Sequence, residues 1–517
     1  MSRPLRLILM IVASLWGLMP AHHAQAAPVL ERGVAVTDPG ALREFDRGRF
    51  GLAAMLDAAR RSEGLLTGEA LFALPSMAPV RQSIEVEFAR YEQRHGAEFP
   101  NASIGVGPSF DFQLFDRARL YSPATRFVLA GIVNRMDRAY VERANCGEIR
   151  LIYRLTEVDA PRVGDHEASA RLPMTLNLVL KARAGRNAGM TCAEIARRWL
   201  ISGDWPLTGA ELAEKLSSSG GPLDSVGPDQ IERIETNLQI AHVSPSPSRE
   251  FRTDYLLKVF DYNPQTRTFE QATLENQIDR ERLMADERLR RDFKAWLLTP
   301  AHVGELDRGT ILIPKEFLAT RAIAPTPIGF SPSALQPAFG LVQGEGGHPI
   351  FSNDDVVTAL QKAAARGIAL QNIRSVAGFE RRLNDVTCAG CHQTRGIGGF
   401  HFPGVDWMAA HPSNTTIVPA SPHFFGDQLR RRDIVAAMRD GRQPDFGRGF
   451  SERPQSRGSR ELAGTEYDDG WGAHCYSLSA KASDNDRSFR SWTCAKGLAC
   501  QAMSEASRMG MCFVGNR

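Results

Sequence analysis

Five consecutive residues carry the strongest chemical signal in the chain: Cys388-Ala389-Gly390-Cys391-His392. Two thiols three positions apart can add across the two vinyl groups of one porphyrin. A histidine in the next position then puts its imidazole under the iron. Ala389 and Gly390 are small, so the backbone can lie close to a macrocycle. This is the haem c attachment signature, and it assigns one covalently bound haem to Cys388 and Cys391, with His392 as the proximal metal ligand. Other chemistries share part of the pattern. A zinc site wants a second ligand pair at matching spacing, and the sequence has no second C-x-x-C. A dithiol redox pair fits a C-x-x-C that opens a helix after a strand, whereas the segment before Cys388 reads as helical. A plain disulfide is strained at this spacing.

A cytochrome iron usually takes a second axial ligand, and four residues after the motif are candidates: His401, Met408, His423 and Met438. His423, flanked by Pro422 and Phe424 in an extended segment before a helix, is the one favoured. Met438 has the separation common in small cytochromes but lies on the apolar face of a helix with Ile434 and Val435. Met408 follows Trp407 and reads equally as core. His401 sits close enough to His392 to stay on the proximal side. Arg430-Arg431-Arg432 reads either as a solvated helix start or as guanidinium groups pairing with haem propionates.

Residues 388 to about 440 resemble a class I cytochrome c domain. The motif is followed by a Gly-rich loop from Arg395 to Gly404, where cytochromes c carry a Gly-Pro element whose proline carbonyl accepts the proximal imidazole proton. The resemblance gives that role to Pro403, in the order Pro-Gly rather than Gly-Pro. It covers about an eighth of the chain and says nothing about the front. Di-haem peroxidases share the motif but carry two attachment sites, and this chain has one.

The elements around the motif are mixed. The chain has 517 residues, 43% hydrophobic and 23% charged, too long for one compact core. A net charge of +3 on that length argues against nucleic acid as the main partner. Arg3 and Arg6, the apolar run Leu7 to Leu18, Pro20 and the small-x-small site Ala24-Gln25-Ala26 read in order as a secretory signal peptide. No later stretch approaches the length that spans a bilayer. Export implies an oxidising compartment, so the eight cysteines are expected to be paired or liganded. Cys146 and Cys192 are expected to form one disulfide across the front domain. Cys475, Cys494, Cys500 and Cys512 are expected to staple the tail, with Cys475–Cys500 and Cys494–Cys512 preferred.

Strand patterns fall at Phe127 to Val133, Ile149 to Leu155, Met174 to Leu180 and Tyr255 to Phe260. Helical spacing marks Ala53 to Leu66, Ile84 to Tyr91, Ala193 to Leu200, Ala210 to Leu216 and Glu281 to Leu298. It returns at Val356 to Ala365 behind an Asn353-Asp354 cap, at Asn372 to Leu383 and at Leu429 to Met438. Asn134-Arg135-Met136-Asp137 reads as a turn with a structural ion pair, and His95, His166, His242, His302 and His348 share no ligand spacing.

The fold expected is α+β and multidomain. A signal peptide (1–26) precedes a mixed α/β domain of unknown role (27–321) and a Pro/Gly-rich linker (322–350). A small, mainly helical cytochrome c-like domain (351–464) and a disulfide-rich tail (465–517) follow. The function expected is a periplasmic or secreted monohaem c-type cytochrome that exchanges single electrons with a redox partner protein or a small donor or acceptor. The rivals are a haem-dependent oxidoreductase acting on peroxide or another small oxidant, and an extracytoplasmic binding protein with an accessory haem.

Overall fold

The structure is a computed structural model that describes residues 33–57, 65–142, 144–158, 171–182, 190–243, 252–326, 350–390, 404–408, 427–449, 474–476, 498–502 and 509–514. The expected signal peptide lies outside these residues, as do Cys391, His392, His401, Pro403, His423 and Cys494.

A ten-stranded, almost wholly antiparallel sheet organises the molecule. Its strands are β1 (Ala35–Val36), β2 (Ile104–Gly105), β3 (Phe112–Leu114), β4 (Thr125–Arg135), β5 (Glu148–Glu157), β6 (Arg171–Lys181), β7 (Ile231–Val243), β8 (Arg252–Asn263), β9 (Thr268–Ala272) and β10 (Ala322–Thr326). The long strands run β4-β5-β6-β7-β8 as a meander. Strand β1 pairs with β4 at one side, β9 and β10 with β8 at the other. The parallel pair β2–β3 extends from the end of β7. Strand β10 occupies the first five residues of the stretch read as a linker, and its Pro325 is tolerated because β10 lies at the sheet's edge.

Twelve α-helices among the described residues cover this sheet: α1 (Pro39–Arg47), α2 (Leu52–Leu56), α3 (Gly68–Phe72), α4 (Ala78–Glu98), α5 (Cys192–Ser202), α6 (Gly209–Ser217), α7 (Arg280–Ala285), α8 (Glu287–Leu297), α9 (Pro300–Arg308), α10 (Asn353–Ala365), α11 (Val376–Asp385) and α12 (Gln428–Arg439). Helical spacing over Glu281 to Leu298 becomes two helices, because Asp286 takes an extended conformation and caps α8 from the Leu289 amide. The cap of α10 is Ser352, one residue before the expected pair. It exchanges hydrogen bonds with Asp355 in a capping box.

Two apolar cores result. The first includes Phe45, Phe50, Phe88, Leu151, Tyr153, Leu178, Trp199 and Ile234. The second includes Leu257, Leu283, Phe293, Leu306, Phe351, Phe379 and Leu383. Each large side chain so buried contributes roughly 1.5–3 kcal/mol. The described residues of 351–464 join both cores. Phe351, Val356, Phe379 and Val386 belong to the second, and Val405, Trp407 and Val435 to the first. The docking of Val405 and Trp407 is specific. A bulge in β4 between Leu129 and Gly131 takes Ala130 out of the ladder. The Ala130 carbonyl accepts the Val405 amide at 2.9 Å, and the Leu129 carbonyl accepts the Trp407 indole N–H at 3.0 Å.

Cys146 and Cys192 form the expected disulfide, with Cα atoms 5.3 Å apart. It ties the start of β5 to the start of α5, the helix on which α12 packs. In the tail, β11 (His474–Tyr476), β12 (Leu498–Ala502) and β13 (Met509–Val514) form a three-stranded antiparallel sheet with β13 in the middle. Cys500 is disulfide-bonded, and the register sets it opposite Cys512, while Cys475 lies on the far outer strand opposite Gly510.

Candidate functional site

Cys388 is delivered by α11 and opens a new helical turn, Cys388 to Gly390. Three contacts fix it. Thr387 caps the turn: its hydroxyl oxygen accepts the Gly390 amide at 2.9 Å while its O–H donates to the Asn384 carbonyl at 2.8 Å. The Gln277 side chain accepts the Ala389 amide at 2.9 Å. The Cys388 thiol points at the Glu275 carbonyl, 3.7 Å away. Gly390 packs so tightly on the end of α11 that a Cβ there would lie 2.1 Å from the Asn384 carbonyl. Its smallness therefore already has a use in the protein's own packing. Upstream, the buried Asp307 carboxylate of α9 accepts the amides of Gln371, Asn372 and Ile373 at 2.9, 2.8 and 2.6 Å, which pins the approach to α11.

Burial pushes the Cys388 thiol up to about 12, with Glu235 and Glu275 adding to the effect. A thiol that attacks disulfides needs the opposite shift, toward thiolate at neutral pH, so the environment disfavours the dithiol redox alternative.

Cys388 borders a buried network of ionised side chains. On the near side, Glu148 at the start of β5 accepts from Arg138 at 3.0 Å, Arg150 at 2.8 Å and Arg233 at 2.8 Å. Glu235 of β7 accepts from Arg150 at 3.0 Å and Arg233 at 2.9 Å. Arg138 also grips both Glu275 oxygens. Burial alone would raise the Glu148 carboxyl, but Arg138, Arg233 and Arg150 outweigh it and hold the group well below the usual carboxylate value. Gly147 makes the geometry possible. At φ +95° it lies against the turn Met136–Arg138, where a Cβ would come within 2.5 Å of the Arg135 carbonyl.

On the far side, Arg135 binds Asp137 through Nε at 2.9 Å and Nη2 at 3.2 Å, the ion pair the sequence suggested. Asp137 also accepts from Arg430 of α12 at 2.9 Å. Asp427, the residue before α12, accepts from Arg430 at 2.7 Å, from Arg431 at 3.0 Å and from Arg448. The Arg430–Arg432 stretch is therefore not simply a solvated helix start, since Arg431 is fully buried.

The described candidates for a second axial ligand sit elsewhere. Met408 and Met438 pack against the first core, whereas Cys388 packs against the second. Met408 lies 4.0 Å from the Arg126 guanidinium, which is salt-bridged to buried Asp46 at 2.7 Å. His95 and His302 are occupied by backbone carbonyls, Ala102 at 3.0 Å and Trp296 at 2.7 Å. Among the described residues, no group of three or more His, Cys, Asp or Glu gathers as a metal site, and no helix is long and apolar enough to cross a membrane.

Sequence reasoning missed Glu148, Arg150, Arg233 and Glu235 as a set. The available signal was a pair of opposite charges two residues apart on each of two strands, which places both on one face. No protein-family model matches the chain, and no curated protein or solved structure matches it significantly.

Proposed function

We propose that the chain is an exported monohaem c-type cytochrome: Cys388 and Cys391 hold one haem through thioether bonds and His392 is its proximal ligand. The observation that carries this reading is the intact Cys388-Ala389-Gly390-Cys391-His392 sequence. Two features of the described residues fit it. Cys388 opens a helical turn, and Arg138 and Arg150, whose guanidinium chemistry pairs with carboxylates, are among the charges that act on its thiol. The haem would supply one-electron transfer through its iron to a redox partner protein or a small donor or acceptor. Thr387, Gln277 and the Glu275 carbonyl would hold the first thiol in place for attachment. His423 remains the proposed second axial ligand, outside the described residues.

The test is expression with the haem-attachment machinery in the periplasm. Denatured protein is expected to keep its haem, and Cys388→Ala with Cys391→Ala to lose it. A six-coordinate low-spin spectrum that changes in His423→Ala supports electron transfer and that ligand. A five-coordinate high-spin spectrum favours the oxidoreductase reading. An exported chain without covalent haem under these conditions overturns the proposal.

A further inference from the structure

Three guanidinium nitrogens in the far half of the network are buried and have no hydrogen-bond partner. Arg431, 1% exposed, donates through Nε to Asp427, but its Nη1 and Nη2 make no hydrogen bond. Arg135, 4% exposed, spends Nε and Nη2 on Asp137, and its Nη1 is equally unmatched. A guanidinium keeps its proton at neutral pH even in such a site, and an unsatisfied buried charged donor is costly. The described carboxylates beside them are already divided, Asp137 between Arg135 and Arg430, and Asp427 among Arg430, Arg431 and Arg448. Burial, and after it the repulsion of Arg135, depresses the Arg431 guanidinium to about 9 against the pull of Asp137 and Asp427. The arrangement is short of negative charge where the Met136–Arg138 turn packs on α12 and the Arg135 and Arg431 charges repel each other.

We propose that Arg431 and Arg135, braced by Asp427 and Asp137, form a buried site for one carboxylate. Planar guanidinium forks match a carboxylate's two oxygens, and the free N–H groups belong to two rigid elements, a strand end and a helix. Two sources share this chemistry: a propionate of the covalent haem, or a free small carboxylate. The site itself does not depend on the haem reading.

The full mature chain, as wild type and as the haem-free Cys388→Ala/Cys391→Ala variant, is titrated with ¹³C-labelled sodium acetate against sodium chloride at equal ionic strength. Acetate is expected to bind the haem-free chain saturably by NMR and to raise its unfolding midpoint by about 1–2 °C at ten times the dissociation constant. Arg431→Gln should abolish both responses. Arg439→Gln, an exposed change on the same helix, should keep them. If a propionate fills the site, the haem-loaded chain gives no acetate response; if the ligand is free, both forms respond alike. No saturable acetate signal in the haem-free chain overturns the proposal, and that reading needs no arginine variant to fold. Should wild type carry no haem, the haem reading falls while the acetate titration still decides this one.

Discussion

The two halves of the buried ion network follow different rules. In the half built on β5 and β7, Arg138, Arg150 and Arg233 meet Glu148, Glu235 and Glu275, and none of these three guanidinium groups keeps a buried nitrogen without an acceptor. In the half built on the Met136–Arg138 turn and α12, guanidinium groups share fewer carboxylates and three nitrogens are left over. A buried pair is tolerated when attraction and hydrogen bonds offset desolvation. The first half satisfies that condition internally. The second does so only with an added anion. The first arrangement closes on itself, and the second is where the proposed carboxylate would complete the pairing.

The comparison is most directly tested at Glu148. Glu148→Gln leaves three buried guanidinium groups without their shared acceptor, and should cost toward the upper end of roughly 3–5 kcal/mol in urea unfolding at neutral pH. A loss below about 1 kcal/mol would mean the first half is not held by charge. The pH dependence has a definite sign. The folded carboxyl is depressed below its ordinary 4.5, so its contribution is present above that value and fades as pH falls through the folded value. The gap between wild type and Glu148→Gln should therefore narrow below about pH 4.5.

The disulfide joins the two halves, since Cys146 precedes Glu148 and Cys192 begins the helix that supports α12. Closing 46 residues of chain is worth about 3–4 kcal/mol by the chain-entropy argument. Cys146→Ala with Cys192→Ala should lose that amount in calorimetry, and should weaken the acetate response by loosening α12.

A double-mutant cycle sharpens the contrast further. Asp427→Asn removes an acceptor from the half already short of them, and should cost roughly 2–3 kcal/mol. Adding Arg431→Gln should recover about 1 kcal/mol of it, because the second change removes an unmatched charge. The smallest effect is expected from Arg431→Gln alone: without added anion, stability should stay within about 1 kcal/mol of wild type. Arg150→Gln in the complete half should cost several times more. Equal losses from Arg431→Gln and Arg150→Gln would erase the distinction.

Much of the framework was legible in the residues. Four of the five long strands and most of the helices follow apolar periodicity, because their burial is one-sided or complete. Strand β7, the longest, was missed. Its Arg233 and Glu235 are turned into the ion network, so the alternation that signals a strand is broken by charges that are inside. The Cys146–Cys192 pair could be argued from counting, since the front of the chain holds only those two cysteines.

Residue order alone carried the Cys388-to-His392 motif, the periodic elements and the paired front cysteines. Each of these rests on neighbours in the chain or on a count. Tertiary structure alone decided that Val405 and Trp407 dock on a bulge in β4, that Glu275 and Gln277 hold the turn at Cys388, and that Arg431 lies buried beside Asp137. These contacts join residues more than a hundred positions apart. Whether a charge ends in water or beside another charge depends on which strands and helices meet, and local spacing carries no record of that.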